Sequence, residues 1–328
     1  MGKEFTDQHI VPKCYLDRFG TKRGKKVVIG TRLNANGKVK FFPATTSDVG
    51  YIKNFYDVTD RDDPKYWKHF FAQEIDVLCG QYMENLIAKI TLSRERVDVL
   101  SEKDKKMLAK VIIAQIMRVP RSLEHISKKI YPDVMKRVRE KAITSLPACL
   151  IEEYRQQIME IELPEQNQKE SFFNFAFTPE NFDRYCKLIQ DGAWFVFVNA
   201  QREHMPFFTS DDPVLVEATG SGKIGVFHNG LANPATTLFY PLCPSIAVAI
   251  FSNRSIVGVA AKHLGIDGRK LTISEPKYVM DKNLKIIEQA YLHSFIPQPC
   301  FSYTINIQHL LSLVKLLNPR RIHRNVRL

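Results

Sequence analysis

The segment of residues 107–119 constrains the fold most, because it is apolar on nearly every side. An α-helix with apolar side chains all around its axis has to be surrounded by other elements. Ser101 and Asp104 form a capping pattern at its start. The sequence therefore predicts a helix in the middle of a domain, with the rest of the chain packed around it. Its apolar residues are Met107, Leu108, Val111, Ile112, Ile113, Ile116, Met117 and Val119.

Helical and strand-like patterns occupy different parts of the chain. Residues 69–91 carry apolar side chains at helical spacing, and residues 281–295 and 307–317 also predict helices. The polar stretch 163–171 predicts an exposed loop or hinge. An Asn-rich turn at residues 34–37 predicts an N-terminal hairpin that pairs with later strands. The predicted strands are residues 26–30, 38–42, 194–198, 206–209, 214–216, 238–240 and 246–250.

These patterns predict an α+β fold in which helices and strands are segregated along the chain. We expect a helical N-terminal half with a small hairpin, followed by a mostly antiparallel, sheet-rich half closed by C-terminal helices. Residues 1–328 form a single α+β domain, either undivided or arranged as a mostly helical lobe over 1–162 and a sheet-rich lobe over 172–328.

The charge of the chain favours anionic partners. The 328 residues include 47 Lys and Arg against 35 Asp and Glu, which gives a net charge of +12. Such a balance is typical of proteins that bind nucleic acid or another polyanion. The positive charge is densest in residues 101–141 and in the C-terminal tail. The residues expected to contact nucleic acid are Lys128, Lys129, Arg137, Arg320 and Arg321.

Cysteine usage and hydropathy indicate a cytoplasmic protein. The six cysteines are scattered and no C-x-x-C pattern occurs, which indicates buried thiols in a reducing compartment. The start of the chain has no apolar signal segment. Residues 229–253 carry no charge, but Pro234, Pro241 and Pro244 interrupt them, so we expect two buried strands around a turn and no membrane helix.

Glu74 and Arg118 are charged residues within apolar helical patterns. Phe70, Phe71, Val77 and Leu78 surround Glu74 at helical spacing, which predicts that its carboxylate faces the core. A buried carboxylate needs a cation, and a buried guanidinium needs a carboxylate or an anion. A Glu74–Arg118 ion pair is the simplest interpretation. The functional alternative has Arg118 hold a phosphate or a substrate carboxylate.

Three segments carry a resemblance to a known family. They are Gln8-His9-Ile10-Val11-Pro12 with Tyr15, Leu16 and Phe19, then residues 207–214 with Thr209-Ser210-Asp211-Asp212-Pro213-Val214, and Tyr240-Pro241-Leu242-Cys243-Pro244. Together they resemble the DUF4238 family, a group of bacterial and fungal proteins with no assigned activity. The resemblance spans most of the chain. It implies a bacterial origin and marks His9 and Asp211 as candidate residues, with Asp212 at a variable position of the family pattern.

The candidate residues suit acid–base and metal chemistry. A histidine with a pKa near neutrality can act as general acid or base, and carboxylates at a strand end suit Mg²⁺ or Mn²⁺. The favoured hypothesis is a phosphodiester hydrolase, most simply a nuclease acting on RNA or DNA. In it, His9 is the acid or base, Glu74 and Asp211 bind the metal ion, and Arg118 stabilises charge on the phosphate.

Two alternatives stay open. The first is a non-catalytic protein that binds nucleic acid through its basic surfaces, with His9, Glu74 and Arg118 as an internal polar network. The second is an enzyme that acts on a nucleotide or another small anion, which a deep pocket would favour over a basic groove. The sequence contains no Gly-rich phosphate loop, no H-E-x-x-H and no G-x-S-x-G, so the enzyme classes that depend on these motifs have no support.

Overall fold

The computed structural model describes residues 6–35, 38–59, 61–218, 223–224 and 230–297. The strands are β1 (Asp7–His9), β2 (Thr21–Arg23), β3 (Lys26–Ala35), β4 (Lys38–Thr45), β5 (Tyr51–Lys53), β6 (Ala193–Asn199), β7 (Thr209–Ser210), β8 (Leu215–Ala218), β9 (Lys223–Ile224), β10 (Thr236–Cys243), β11 (Ile246–Phe251), β12 (Arg269–Ile273) and β13 (His293–Ile296). The α-helices are α1 (Lys13–Asp17), α2 (Tyr66–Phe70), α3 (Met83–Leu92), α4 (Glu102–Met117), α5 (Pro120–His125), α6 (Tyr131–Thr144), α7 (Ala148–Glu160), α8 (Glu165–Ala176), α9 (Pro179–Gln190), α10 (Ile256–His263) and α11 (Pro276–Gln289). Three π-helical segments are Phe71–Asp76, Leu78–Tyr82 and Ile126–Ile130.

The described strands form three sheets. The largest has the order β12-β6-β11-β10-β8-β9 and is antiparallel except where β12 runs parallel to β6. A second sheet has the order β2-β3-β13-β7, with β4 paired to β3. The third is the short ribbon of β1 and β5, in which His9 lies opposite Tyr51. The uncharged segment 229–253 thus contributes β10 and β11, two neighbouring buried strands, as predicted.

The predicted order of helices and strands is wrong, although the α+β class holds. Strands β1–β5 precede most of the helices, and β3 pairs with β13 from the far end of the described chain. Helices and sheets are therefore interleaved, and the N-terminal hairpin does pair with late strands. A periodicity argument reads local sequence only, so it cannot detect that distant strands share one sheet. One apolar core cluster accordingly runs from Ile10 to Phe295.

Helix α4 occupies the centre, as its all-apolar sequence predicts. Leu108, Val111, Ile112 and Ile113 are fully buried in the core cluster. The capping box at Ser101 is present as expected. No helix of the described residues is long and apolar enough to cross a membrane.

The helical run from Tyr66 to Leu92 departs from regular α geometry. Its two π-helical segments have i→i+5 turns, which are wider than those of an α-helix. Cys79 and Met83 are therefore buried, where α-helical spacing predicted Leu78 and Tyr82. This change of face also decides which carboxylate of the run points toward the core.

Two local predictions toward the C-terminus are wrong. The predicted loop at residues 163–171 is largely helix α8, whose Phe173 is fully buried. The predicted helix at residues 281–295 is α11 followed by strand β13. A polar stretch does not exclude a helix, because packing of one apolar face overrides local polarity. The predicted helix at 307–317 and the tip of the hairpin turn, residues 36–37, lie outside the described residues.

Tyr15 joins the three segments that carry the family resemblance. Its hydroxyl donates to the carbonyl of Pro241 at 2.8 Å and lies 2.8 Å from the Thr209 hydroxyl. Its ring stacks on Tyr240 with the ring centroids 5.3 Å apart. Burial raises the pKa of Tyr15 well above its ordinary value, so the hydroxyl remains protonated and available as a donor. The three segments are therefore neighbours in space.

We predict that Tyr15→Phe destabilises the protein while leaving the stacking intact. The substitution leaves the buried Pro241 carbonyl without its donor, and losses of this kind amount to about 1–3 kcal/mol. Urea unfolding monitored by circular dichroism measures the change. Tyr66→Phe, at a partly exposed tyrosine, is the matched control and should change the unfolding free energy by less than about 0.5 kcal/mol.

Candidate functional site

His9 lies at the end of β1 with its ring in a partly enclosed position. Its Nδ1 is buried and has no hydrogen-bond partner among the described residues. Burial lowers the pKa of His9 below 6.5, and the Asp76 carboxylate and the Gly50 carbonyl offset part of that effect. The imidazole is therefore mainly neutral at pH 7, and its partly exposed ring can meet a substrate, although not through the buried Nδ1.

The partner of Arg118 is Asp76 and not Glu74. Arg118 Nη1 donates to Asp76 Oδ1 at 2.7 Å, and the guanidinium is fully buried while the Asp76 side chain is 26% exposed. Nε and Nη2 of Arg118 donate to Oε1 of Gln115. Burial lowers the pKa of Arg118, but the charge and hydrogen bond of Asp76, together with Tyr56 and Cys79, outweigh burial and raise the pKa above its ordinary value. The guanidinium thus stays charged and holds Asp76 in place.

The predicted Glu74–Arg118 pair is wrong because the π-helical turns shift the inner face of the run. Glu74 is exposed, whereas Asp76, two residues later, reaches Arg118. The sequence offered one signal for Asp76, namely a carboxylate next to the core residue Ile75. Regular α-helical spacing hid that signal, since it assigned the inner face to Glu74.

Backbone contacts fix His9 from two directions. Gln115 donates to the carbonyl of Ile10 at 2.9 Å, and the hydroxyl of Tyr56 donates to the carbonyl of His9 at 3.1 Å. The buried side chain of Gln8 accepts from the backbone N–H of Tyr56 and donates to Asp57. The ion pair and the histidine therefore belong to one network, which we call the His9 cluster: His9, Tyr56, Asp76, Gln115 and Arg118.

The chemistry of the His9 cluster is divided between exposed and buried members. His9 and Asp76 are partly exposed, so they can meet a solvent molecule or a substrate. Arg118 is completely enclosed, and each of its three nitrogens donates a hydrogen bond within the protein, so it positions Asp76 and does not touch a ligand. The expectation that Arg118 contacts a phosphate directly is therefore wrong.

Asp211 has a different environment from the one expected of a metal ligand. Its carboxylate accepts hydrogen bonds from the backbone N–H groups of Tyr291, Leu292 and His293 at 2.7–2.8 Å. These bonds close the turn between α11 and β13. Across the described residues, no group of three or more His, Cys, Asp or Glu side chains could hold a metal ion. The described contacts therefore give no support to the expected Mg²⁺ or Mn²⁺ site at Glu74 and Asp211, which stays a prediction.

Asp212 is a buried carboxylate that the sequence did not mark as a candidate site residue, because it occupies a variable position of the family pattern. It is 7% exposed, and the only ion pair described for it is a long one, 4.0 Å to Arg121. Burial raises the pKa of Asp212 to about 7, and the nearby Arg121 lowers it only in part. Arg121 follows Arg118 by three residues, so the junction of α4 and α5 supplies one cation to the partly exposed Asp76 and another to the buried Asp212.

A groove of about 900 Å³ lies beside the β1–β5 ribbon. The residues that line the groove include the aromatic Phe55 and Phe172 and the basic Lys53, Lys128 and Lys169. Asp57 lines the groove and also bonds Gln8, which connects the groove to the strand that carries His9.

Three of the five residues predicted to contact nucleic acid lie on the surface of the protein. Lys128, Lys129 and Arg137 are exposed, although Lys128 donates to Glu124 four residues earlier. Arg320 and Arg321 lie outside the described residues. Of the four predicted catalytic residues, the structure brings His9 and Arg118 together. Glu74 and Asp211 have no described contact with either one.

A comparison with protein families gives one match. The model of a family described as "Protein of unknown function (DUF4238)" covers residues 7–296, which include the segments joined at Tyr15. At a stringent threshold, neither the curated proteins nor the solved structures provide a match.

We predict that Asp76→Asn destabilises the protein strongly, whereas Glu74→Gln does not. Loss of the Asp76 charge leaves the Arg118 guanidinium buried and unpaired, which typically costs about 3–5 kcal/mol; partial exposure of Asp76 reduces this to about 2–4 kcal/mol. Glu74→Gln makes the same chemical change two residues away on the exposed face and should stay within about 0.5 kcal/mol. Equal effects of the two variants in urea unfolding would contradict the ion-pair assignment.

We predict that Asp212→Asn stabilises the protein at pH 8 and has little effect at pH 4, near the unfolded pKa. The folded-state pKa of about 7 lies above the unfolded value near 3.8, so the folded state binds the extra proton between these values and stability falls as pH rises. Above pH 7 the buried charge costs on the order of 3 kcal/mol, which the amide removes. Thermal melts at the two pH values test this, and a variant less stable than the wild type at pH 8 contradicts it.

Proposed function

The chain belongs to the DUF4238 family, and we propose that it is a phosphodiester hydrolase that cleaves RNA or DNA. The description of the family assigns no activity, so the proposal is argued from the side chains of this protein. The observation that carries the proposal is the state of His9. Its imidazole is mainly neutral at pH 7, its ring is partly exposed, and a carboxylate held by a buried guanidinium acts on its pKa.

The His9 cluster supports general base catalysis. A neutral imidazole can take the proton of an attacking hydroxyl or water as the new P–O bond forms. The Asp76 charge then stabilises the imidazolium, in accordance with its effect on the pKa of His9. The imidazolium returns the proton to the leaving oxygen when the original P–O bond breaks. Arg118 keeps Asp76 in position throughout and takes no direct part.

The charge of the protein supports a polyanionic substrate. The net charge of +12 attracts nucleic acid over a long range and raises the rate of encounter. Lys13 lies close enough to His9 to lower the pKa of the imidazole, and its side chain is 45% exposed. Lys13, which also pairs with Asp17 at 2.8 Å, therefore supplies a partly exposed cation that can hold a phosphate next to His9. Divalent cations remain an assay variable, because substrate phosphates themselves bind Mg²⁺.

One observation favours the second candidate, a non-catalytic nucleic-acid-binding protein. Each nitrogen of Arg118 donates a hydrogen bond to Asp76 or Gln115, and Gln115 donates to the carbonyl of Ile10, so the His9 cluster also connects the end of β1 to the helical core. In that case the basic surface binds nucleic acid and no bond is cleaved.

We predict that the purified protein cleaves labelled RNA or DNA and that His9→Gln reduces the rate by about 10²–10⁴-fold. The assay uses single- and double-stranded substrates with Mg²⁺, Mn²⁺ or EDTA. His69→Gln, at an exposed histidine, is the matched control and should keep full activity. Because the base must be deprotonated, the rate should rise with pH to a plateau with a midpoint below 6.5.

Each other outcome of this assay has a defined meaning. Salt-sensitive binding without cleavage identifies the non-catalytic protein. Cleavage that persists in His9→Gln removes the His9 cluster from the mechanism. Absence of both binding and cleavage contradicts the nucleic-acid proposal and directs the search to small anionic substrates in the groove.

A further inference from the structure

Helices α6 and α7 form a hairpin that buries none of its own side chains. The hairpin, residues 131–160, follows the π-helical segment Ile126–Ile130, and Arg139 donates to the carbonyl of Ile161 and ties its base. Helices of 14 and 13 residues are marginal in water unless one face is packed against something. We therefore expect another protein surface to pack against the exposed side of the hairpin.

The hairpin exposes apolar side chains at helical spacing. Ile130, Val134 and Val138 recur every four residues, so they form one stripe on α6. On α7, Tyr154 is exposed and Ile158, four residues later, is half-buried, while the exposed Ile161 follows the end of the helix. Single exposed apolar residues are ordinary, but a stripe on α6 with further apolar side chains on α7 indicates an interaction surface. The exposed fractions are 46% for Ile130 and Val134, 52% for Val138, 38% for Tyr154 and 53% for Ile161.

The charges of the hairpin indicate what covers it. Helix α6 has four basic and two acidic residues, for a net charge of +2, whereas α7 has one basic and three acidic residues, for a net charge of −2. A surface with a basic half and an acidic half is complementary to itself after a two-fold rotation. In such a pairing, α6 of one copy faces α7 of the other, and the apolar stripe of α6 meets the apolar side chains of α7.

We propose that the α6–α7 hairpin is a dimerisation element, which pairs with the same hairpin of a second copy to form a four-helix bundle. The surface fits a second copy because both its charge pattern and its apolar side chains are self-complementary. The bundle buries Val138 and Tyr154 at its centre and places the charged residues at its edges. This inference does not depend on the proposed hydrolase activity.

Sedimentation equilibrium and light scattering of the full chain test the proposal. We expect twice the monomer mass of 37.8 kDa, with dissociation on dilution. Val138→Glu and Tyr154→Glu should each shift the protein to the monomer, while far-ultraviolet circular dichroism stays unchanged. Leu92→Glu, at a residue 81% exposed outside the hairpin, is the matched control and should leave the dimer intact.

Charge reversal separates the proposal from a folding defect. Arg137→Glu with Lys141→Glu should weaken the dimer, as should Glu152→Lys with Glu153→Lys, by at least about tenfold in dissociation constant. All four substitutions in one chain restore opposite charges across the interface and should recover dimerisation. A wild-type protein that stays monomeric up to about 100 µM overturns the proposal. In that case another segment or another partner covers the hairpin. A dimer insensitive to Val138→Glu and Tyr154→Glu also overturns it.

Discussion

The ion pair between Asp76 and Arg118 is the interaction on which the candidate site depends. A fully buried guanidinium has to be paired, and the pairing dictates where the kinked helical run approaches α4. The same guanidinium donates to Gln115, and Gln115 donates to the carbonyl of Ile10, directly after β1. The hydrogen bonds that pair this buried charge therefore also help to position His9. The chemistry available at His9 is thus a consequence of how the core satisfies Arg118.

The second organising contact is Tyr15, which binds partners 194 and 226 residues later in the chain and so brings three segments together. Arg18, one helical turn later, adds bonds to the carbonyls of Leu242 and Cys79. Helix α1 therefore connects the large sheet to the π-helical segments of the run that carries Asp76. The two later segments that resemble the family each supply hydrogen-bond partners to Tyr15 or Arg18. This contact gives a physical reason why the three short segments occur together.

The sequence predicted local elements better than their arrangement. The all-apolar helix, the hairpin strands and the buried strands β10 and β11 followed from periodicity, because each depends on its own residues. Interleaving of helices and sheets did not, because the pairing of β3 with β13 leaves no local signal. At the site, His9 and Arg118 were predicted, but Asp76 was missed because π-helical turns changed the face of the helix. Asp211 was predicted as a metal ligand, whereas in the structure its carboxylate accepts hydrogen bonds from backbone N–H groups.

The most direct test of this account is the titration of His9 by NMR in the wild type and in Asp76→Asn, with His9→Gln used to assign the imidazole signal. The account predicts a pKa below 6.5 in the wild type, because burial dominates, and a still lower pKa in Asp76→Asn, because the carboxylate that favours the charged ring is gone. A wild-type pKa at or above 6.5 that does not respond to Asp76→Asn would show that His9 is solvated and independent of the ion pair, which contradicts the account.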